Sequence, residues 1–188
     1  MILRVLSYKT TGYLAAALAI VSLVPGAAFA GVDSTDTTKY EFGSEAWVSL
    51  ARDYLVAAVG DADLEGIRFS FCEVYTDPPA HLLEPGESTT GWYVSIADGE
   101  FRVEKGVLSE ADILITSDYA TTLPLAQMVF EGNPEGAVQA QEMVEAATAA
   151  GKMRREGDAN AFTNVASKVP ALAAAFAKLH DTLARRTL

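Results

Sequence analysis

The stretch Gly151-Lys152-Met153-Arg154-Arg155-Glu156-Gly157-Asp158 decides the fold. It is too short for a stable helix and lies between glycines, after two segments of helical periodicity and before a third, so it reads as a strand returning to a sheet after a helical pair. Along a strand the side chains alternate between faces, which puts Arg155 on the same face as Met153. Asp158 leads into the next helix.

Upstream, Gly132-Asn133-Pro134 is a compact helix-to-helix punctuation: Gly132 past one helix end, Asn133 as N-cap and Pro134 at the first helical position. The helix before it carries Leu125, Met128 and Val129 as its apolar stripe, with Ser117, Asp118 or Thr122 as candidate caps. With Thr122 as the cap, Pro124 falls in the first turn. The helix after it faces the core with Ala140, Met143, Val144 and Ala147, and Gly151 closes it. Downstream, Phe162 and Val165 mark a short helix, and Leu172, Phe176, Leu179 and Leu183 a last one after Pro170.

The strands lie earlier. Ile67, Phe69 and Phe71 alternate with Arg68, Ser70 and Cys72 until Asp77-Pro78-Pro79 stops them, and residues 80–90, with Pro85-Gly86, have the chemistry of a mobile loop. Trp92, Val94 and Ile96 alternate into Asp98-Gly99, a strong hairpin signal, and Phe101 and Val103 return. Ile113 and Ile115 mark a further strand. Before all of these, Ser44 caps a helix whose apolar face is Trp47, Leu50, Ala51, Tyr54, Leu55 and Ala58, ended by Gly60-Asp61. A helix, a run of strands, and then helices with one more strand make an α+β domain with one sheet covered mainly on one face.

The first 30 residues read as a cleaved signal peptide: Arg4 and Lys9, the apolar run 14–24, Pro25-Gly26, then Ala28-Phe29-Ala30 as the cleavage site. Residues 31–41 read as a polar tether, and 42–188 as the domain. A secreted or periplasmic location follows as an expectation. Loss of Arg4 and Lys9, with no acids, takes the formal charge from −11 to −13. Such an acidic chain without a dense basic patch repels phosphate backbones, so nucleic acid is excluded as a partner. The single cysteine, Cys72, allows no internal disulfide, and the domain must stand on its core.

Residues 42–179 resemble the sterol carrier protein type 2 domain family, also called the sterol-binding or lipid-transfer domain. The resemblance is carried by Phe42-Gly43-Ser44-Glu45-Ala46-Trp47, by the hairpin GWYVSIADGEFRVEKG at 91–106, by Ala111-Asp112-Ile113, and most specifically by Gly151-Lys152 with Gly157-Asp158. It implies a five-stranded sheet with helices against one face and, between them, a tunnel for sterols or fatty acyl chains. The family's isolated domains are carriers without catalytic residues or cofactors. The positions expected at the ligand are Phe69, Trp92, Val94, Leu125, Met128, Val129, Met143, Met153, Arg155 and Phe162. The family keeps an apolar side chain where this chain has Arg155.

Each of these residues also has a plainer role. Arg155 either pairs with a carboxylate or phosphate head group at a tunnel mouth, or snorkels into solvent or pairs with Glu156 or Asp158. Trp47 and Trp92 either line a pocket or are ordinary core, and Met128, Met143 and Met153 are either an adaptable wall or gap-fillers. Cys72 with His81 or His180 has no spacing that suggests a thiol nucleophile, and Asp61, Asp63 and Glu65 lack the glycine and distal glutamate of a calcium loop. No metal or organic cofactor is expected.

The leading expectation is non-catalytic binding or transfer of a small hydrophobic ligand. One alternative is an accessory domain that docks on an enzyme or membrane complex, through residues 80–90 or through Arg185 and Arg186, and presents a lipidic substrate. The other is an enzyme on a cone-shaped fold of the ketosteroid-isomerase type, which needs an acid or a tyrosine placed inside its cavity; the sequence assigns none, and a buried ionisable pair deep in the cavity would revive it. The oligomeric state is left open.

Overall fold

The computed structural model describes residues 37–188. Residues 1–30, expected to be a signal peptide, and residues 31–36 of the expected tether lie outside the described residues. The chain runs α1 (Glu45–Val59), β1 (Phe69–Thr76), a short 3-10 turn (Ala80–Leu82), β2 (Thr89–Ala97), β3 (Glu100–Lys105), β4 (Ile113–Asp118), α2 (Tyr119–Ala126), α3 (Pro134–Ala149), β5 (Met153–Gly157), α4 (Ala161–Lys168) and α5 (Pro170–Ala184). The fold is α+β, with one mixed five-stranded sheet in the order β3-β2-β1-β4-β5. Its central strand β1 pairs antiparallel with β2 and parallel with β4, and β5 runs antiparallel to β4 at one edge.

Local chemistry accounts for the boundaries. Ser44 caps α1 by accepting from the Trp47 N–H at 3.2 Å, relieving one of the donors that a helix start leaves unpaired. The buried face of α1 includes Trp47, Ala51, Leu55 and Ala58 and also Val48 and Val59, because α1 is wedged between α5 and β3. Leu50 and Tyr54 are half-buried beside it. Asp98 and Gly99, both at positive φ, form the two-residue turn between β2 and β3.

The segment 151–158 shows why its glycines stand where they do. Gly151 has φ +70° and closes α3 as a left-handed cap, with its own N–H on the Thr148 carbonyl at 3.0 Å and the Lys152 N–H on the Ala147 carbonyl at 2.9 Å. At Gly157 a Cβ would lie 2.1 Å from the Asp112 carbonyl oxygen, which in turn accepts from the Asp158 N–H at 2.8 Å. Asp112 also ties β1 to this corner, its carboxylate accepting from the Ser70 N–H at 2.7 Å. The strand end and the Ala111-Asp112-Ile113 turn therefore form one joint.

Two expectations change, the mobile loop at 80–90 and the place of Pro124. Residues 80–90 do not form a loose loop: Leu82 is buried and its carbonyl accepts from Lys105 Nζ at 3.1 Å, so an apolar anchor and a half-buried cation pin the segment down. Of the three candidate caps it is Asp118 that caps α2, accepting from the Thr121 N–H at 2.8 Å and its hydroxyl at 2.5 Å. These bonds hold the Asp118 carboxyl below its usual range. Since β4 runs straight into the helix, Pro124 falls in the second turn, where it removes a donor and the helix ends two residues later.

Arg186 is likewise not available as a docking surface. It is buried, with its Nε on the Thr38 carbonyl at 2.5 Å and its guanidinium 5.3 Å from the centre of the Tyr40 ring. Tyr40 forms a parallel bridge with Thr187, and Thr187 Oγ1 accepts from the Trp47 indole at 2.9 Å. The two ends of the described chain are thus held together. Arg185 pairs with Glu131 at 2.9 Å on the surface.

Candidate ligand-binding cavity

The sheet has two different faces. On one, Ser70, Tyr93, Ser95, Leu114 and Thr116 are half-exposed, while Cys72 and Val74 are buried there. On the other, Phe71, Trp92, Ile113 and Ile115 are buried and form the floor of a cavity of about 420 Å³. Every one of the five described helices contributes to its walls: Trp47 from α1, Leu125 from α2, Val144 from α3, Phe162 from α4, and Phe176 and Leu183 from α5. The volume lies in the ordinary range for small-molecule pockets, roughly 300–1,000 Å³.

The walls are aromatic on the β1 side. Phe71 meets Trp92 and Phe176 edge to face at 5.6 and 5.9 Å, and Phe162 tilts against Phe176 at 5.2 Å. Trp47 meets Trp92 at 5.9 Å, nearly perpendicular. On the β5 side the wall is aliphatic and flexible, with Leu125 and Val144 backed by Met128, Phe130, Met143 and Met153.

Three ionised side chains enter this apolar lining: Glu73, Asp181 and Arg155. Asp181 is engaged, its two oxygens accepting from the Phe130 and Glu131 N–H groups at 2.8 and 2.7 Å. Beside it, His180 Nε2 bonds the Met128 carbonyl at 2.8 Å and its ring stacks on Phe130 at 4.3 Å. Glu73 Oε2 accepts from the Tyr75 hydroxyl at 2.5 Å and from the Trp92 indole at 2.8 Å. Burial and the neighbouring Glu73 carboxylate push the Tyr75 hydroxyl pKa well up, so it stays a donor.

Arg155 differs. Its Nε and Nη2 are buried and have no hydrogen-bond partner among the described residues. The local acids that offered a plainer role are occupied: Glu156 pairs with Arg154 at 3.2 Å, and Asp158 accepts from the Asn160 N–H at 2.8 Å. Strand register explains the inward aim. Trp92 opposes Glu73, Glu73 opposes Ile115, and Ile115 opposes Arg155, so all four side chains leave the same face in one row. Glu73 and Arg155 stand two strands apart, about 10 Å between backbones.

Of the positions expected at the ligand, Trp92, Leu125, Met153, Arg155 and Phe162 line the cavity. Phe69 lies beside it, its ring 6.1 Å from Phe162, and Val94 is fully buried in the main core. Met128 and Met143 back the wall from the second layer. Val129 is half-buried and offers its carbonyl to the Asn133 side chain. Those five are not part of the lining. Sequence reasoning missed Glu73, Tyr75 and Asp181. Glu73 had a signal: Phe69, Phe71, Glu73 and Tyr75 occupy alternate positions, so the strand that buries phenylalanines must also turn a carboxylate inward. Asp181 had none, because it serves a turn distant in sequence.

Cys72 is fully buried and receives the Leu108 N–H on its sulfur at 3.4 Å. Burial pushes its thiol pKa up, which disfavours a nucleophilic thiolate. Among the described residues no group of His, Cys, Asp and Glu could hold a metal ion, and no helix is long and apolar enough to cross a membrane.

No family model and no curated protein matches the chain. Solved structures do. One is a conserved hypothetical protein of Thermus thermophilus, described as possibly a sterol carrier protein; it is 16% identical, with a TM-score of 0.39 over 81% of this chain and 96% of that one. A sterol carrier protein 2 matches at 15% identity and a TM-score of 0.41 over 75% of this chain and 98% of its own. A palmitated sterol carrier protein 2-like 2 of Aedes aegypti matches at 18% identity and a TM-score of 0.33, over 67% of this chain and 94% of that chain. All three scores lie below 0.5, so the functional reading rests on this chain's own cavity.

Proposed function

We propose that this chain is a non-catalytic carrier of a small hydrophobic ligand, sterol-like or fatty-acyl-like, held between the sheet and the helices. The observation that supports it is the cavity of about 420 Å³, walled by aromatic and aliphatic side chains from all five described helices and four strands. Burying roughly 200 Å² of apolar ligand surface at about 25 cal/mol per Å² gains on the order of 5 kcal/mol before entropy losses. That suits a carrier that must also release its load. The resemblance of residues 42–179 to the sterol carrier domain family points the same way. The test is titration of delipidated protein with fluorescent fatty acids and sterols, beside native mass spectrometry of the protein as purified. Absence of both saturable binding and co-purified lipid refutes the reading.

One observation favours a second reading, an acid-base enzyme: Glu73 and Tyr75 form a hydrogen-bonded ionisable pair in the cavity wall. The Tyr75 hydroxyl donates to Glu73 itself, whereas an enolising site needs that donor on a substrate oxygen. The carrier reading is therefore preferred. Deuterium uptake at the α-carbon of a cyclic ketone, abolished by Glu73→Gln, would reverse the preference.

Export of the mature chain belongs to the same proposal and is carried by residues 1–30 alone. Sequencing the N-terminus of protein from the native host should give Gly31 as first residue.

A further inference from the structure

We propose that Arg155 is the head-group anchor of this cavity, taking the oxyanion of an otherwise apolar ligand, carboxylate or phosphate, at the β5 end. The proposal rests on the carrier reading and deepens it. The two atoms without partners, Nε and Nη2, are the donors along one side edge of the guanidinium, and that edge matches two oxygens of one carboxylate or phosphate. Arg155 as a whole is half-buried, but two guanidinium donors shut away from water without an acceptor are unfavourable. An anion supplied by the ligand removes this cost on loading and restores it on release.

The rest of the wall leaves this role to Arg155. Asp181 is taken up by two backbone N–H groups and Glu73 by Tyr75 and Trp92. The nearby acids Glu156 and Asp158 are bonded elsewhere. Glu73 adds direction. As the negative pole of the same cross-sheet row, two strands away, it repels an acid at its own end, so the head group sits at β5 and the apolar tail runs toward the aromatic wall around Trp92.

The test is calorimetric titration of the delipidated full chain with a long-chain fatty acid, the alkyl phosphate of equal length, the methyl ester, and inorganic phosphate alone. The intact protein should prefer both acids over the ester by about tenfold or more, and Arg155→Leu should weaken the acids by roughly 10- to 100-fold while moving the ester by less than about threefold. Arg155→Lys should keep part of the preference, because it keeps the charge and loses the planar fork. Ligand-free Arg155→Leu should melt at a higher temperature than the intact protein, since it removes two buried donors that have no acceptor.

Equal loss for acids and ester in Arg155→Leu overturns the anchor and leaves the carrier standing. A lower melting temperature in ligand-free Arg155→Leu overturns it too, because Arg155 would then have a structural partner. Should Arg155→Leu fail to fold, Arg155→Lys decides alone: an undiminished preference for acids is evidence against the bidentate anchor. Inorganic phosphate binding as tightly as the alkyl phosphate makes Arg155 a simple ion site. If none of the amphiphiles binds the intact protein, the carrier reading itself fails.

Discussion

The described residues form two apolar clusters built on different plans. The larger joins α1, α5 and the central strands through edge-on and tilted rings: Phe42 meets Trp47, Tyr75 and Tyr119 with ring centres 5.2, 4.7 and 5.3 Å away, and Val48, Leu55 and Leu172 have no exposed surface. The smaller, between α2, α3 and β5, has Leu125, Ala140 and Val144 at its centre and methionines at its margin. Tight, rigid packing gives stability, and loose packing of small and flexible side chains gives space. The cavity lies where the two plans meet, with one wall from each.

The sharpest way to break this contrast is at Trp47, which serves the larger cluster and also bonds Thr187. Trp47→Ala should cost about 3–5 kcal/mol, read by urea unfolding; a loss as small as that expected in the other cluster would show the two to be equivalent. Leu125→Ala, next to the cavity, should cost only about 2 kcal/mol, the low end for such truncations. It should weaken ligand binding more than its stability loss suggests.

Smaller effects sharpen the comparison. Asn133 caps α3 by accepting from the Gly136 N–H at 2.9 Å, and Asn133→Ala should cost about 1 kcal/mol. Amide exchange should then quicken in α3 and leave α1 unchanged. The smallest effect is on pH dependence. Burial, first of all, pushes the Tyr75 hydroxyl up in the folded chain, and burial likewise raises Tyr54 and Tyr119. Their unfolded counterparts ionise near pH 10, so the stability these groups contribute is complete below that pH and falls as pH rises beyond it. The urea midpoint should begin to decline gently from about pH 8.5, where the unfolded Cys72 thiol ionises before the buried one, and fall further from pH 10 upward, the later fall being less steep in Tyr75→Phe.

The larger cluster was the easier of the two to read from sequence. Alternation in β1, β2 and β4 and the helical spacing of Trp47, Ala51 and Leu55 are local patterns, and caps at Ser44 and Asn133 announce themselves by residue type. The cavity wall was harder, because a wall residue and a core residue share the same periodicity. Trp92 and Val94 occupy equivalent alternate positions, yet Trp92 lines the cavity and Val94 does not; the packing of α5 and α1 above the sheet decides that. Arg155 stood out as a polar residue on an apolar face, and Glu73 could have been found by the same rule. The pinning of residues 80–90 depends on Lys105, whose reach across the sheet edge has no sequence signature.

The bridge between Tyr40 and Thr187 has a consequence for the order in which the chain can fold. Helix α1 hides its apolar face between α5 and β3, and its tryptophan completes its bonding on Thr187. A nascent chain can therefore cover α1 only on its sheet side, against β3 and Trp92, until residues 170–187 have been made. Contacts of such long sequence separation slow folding, which leaves a long interval in which the growing chain stays open.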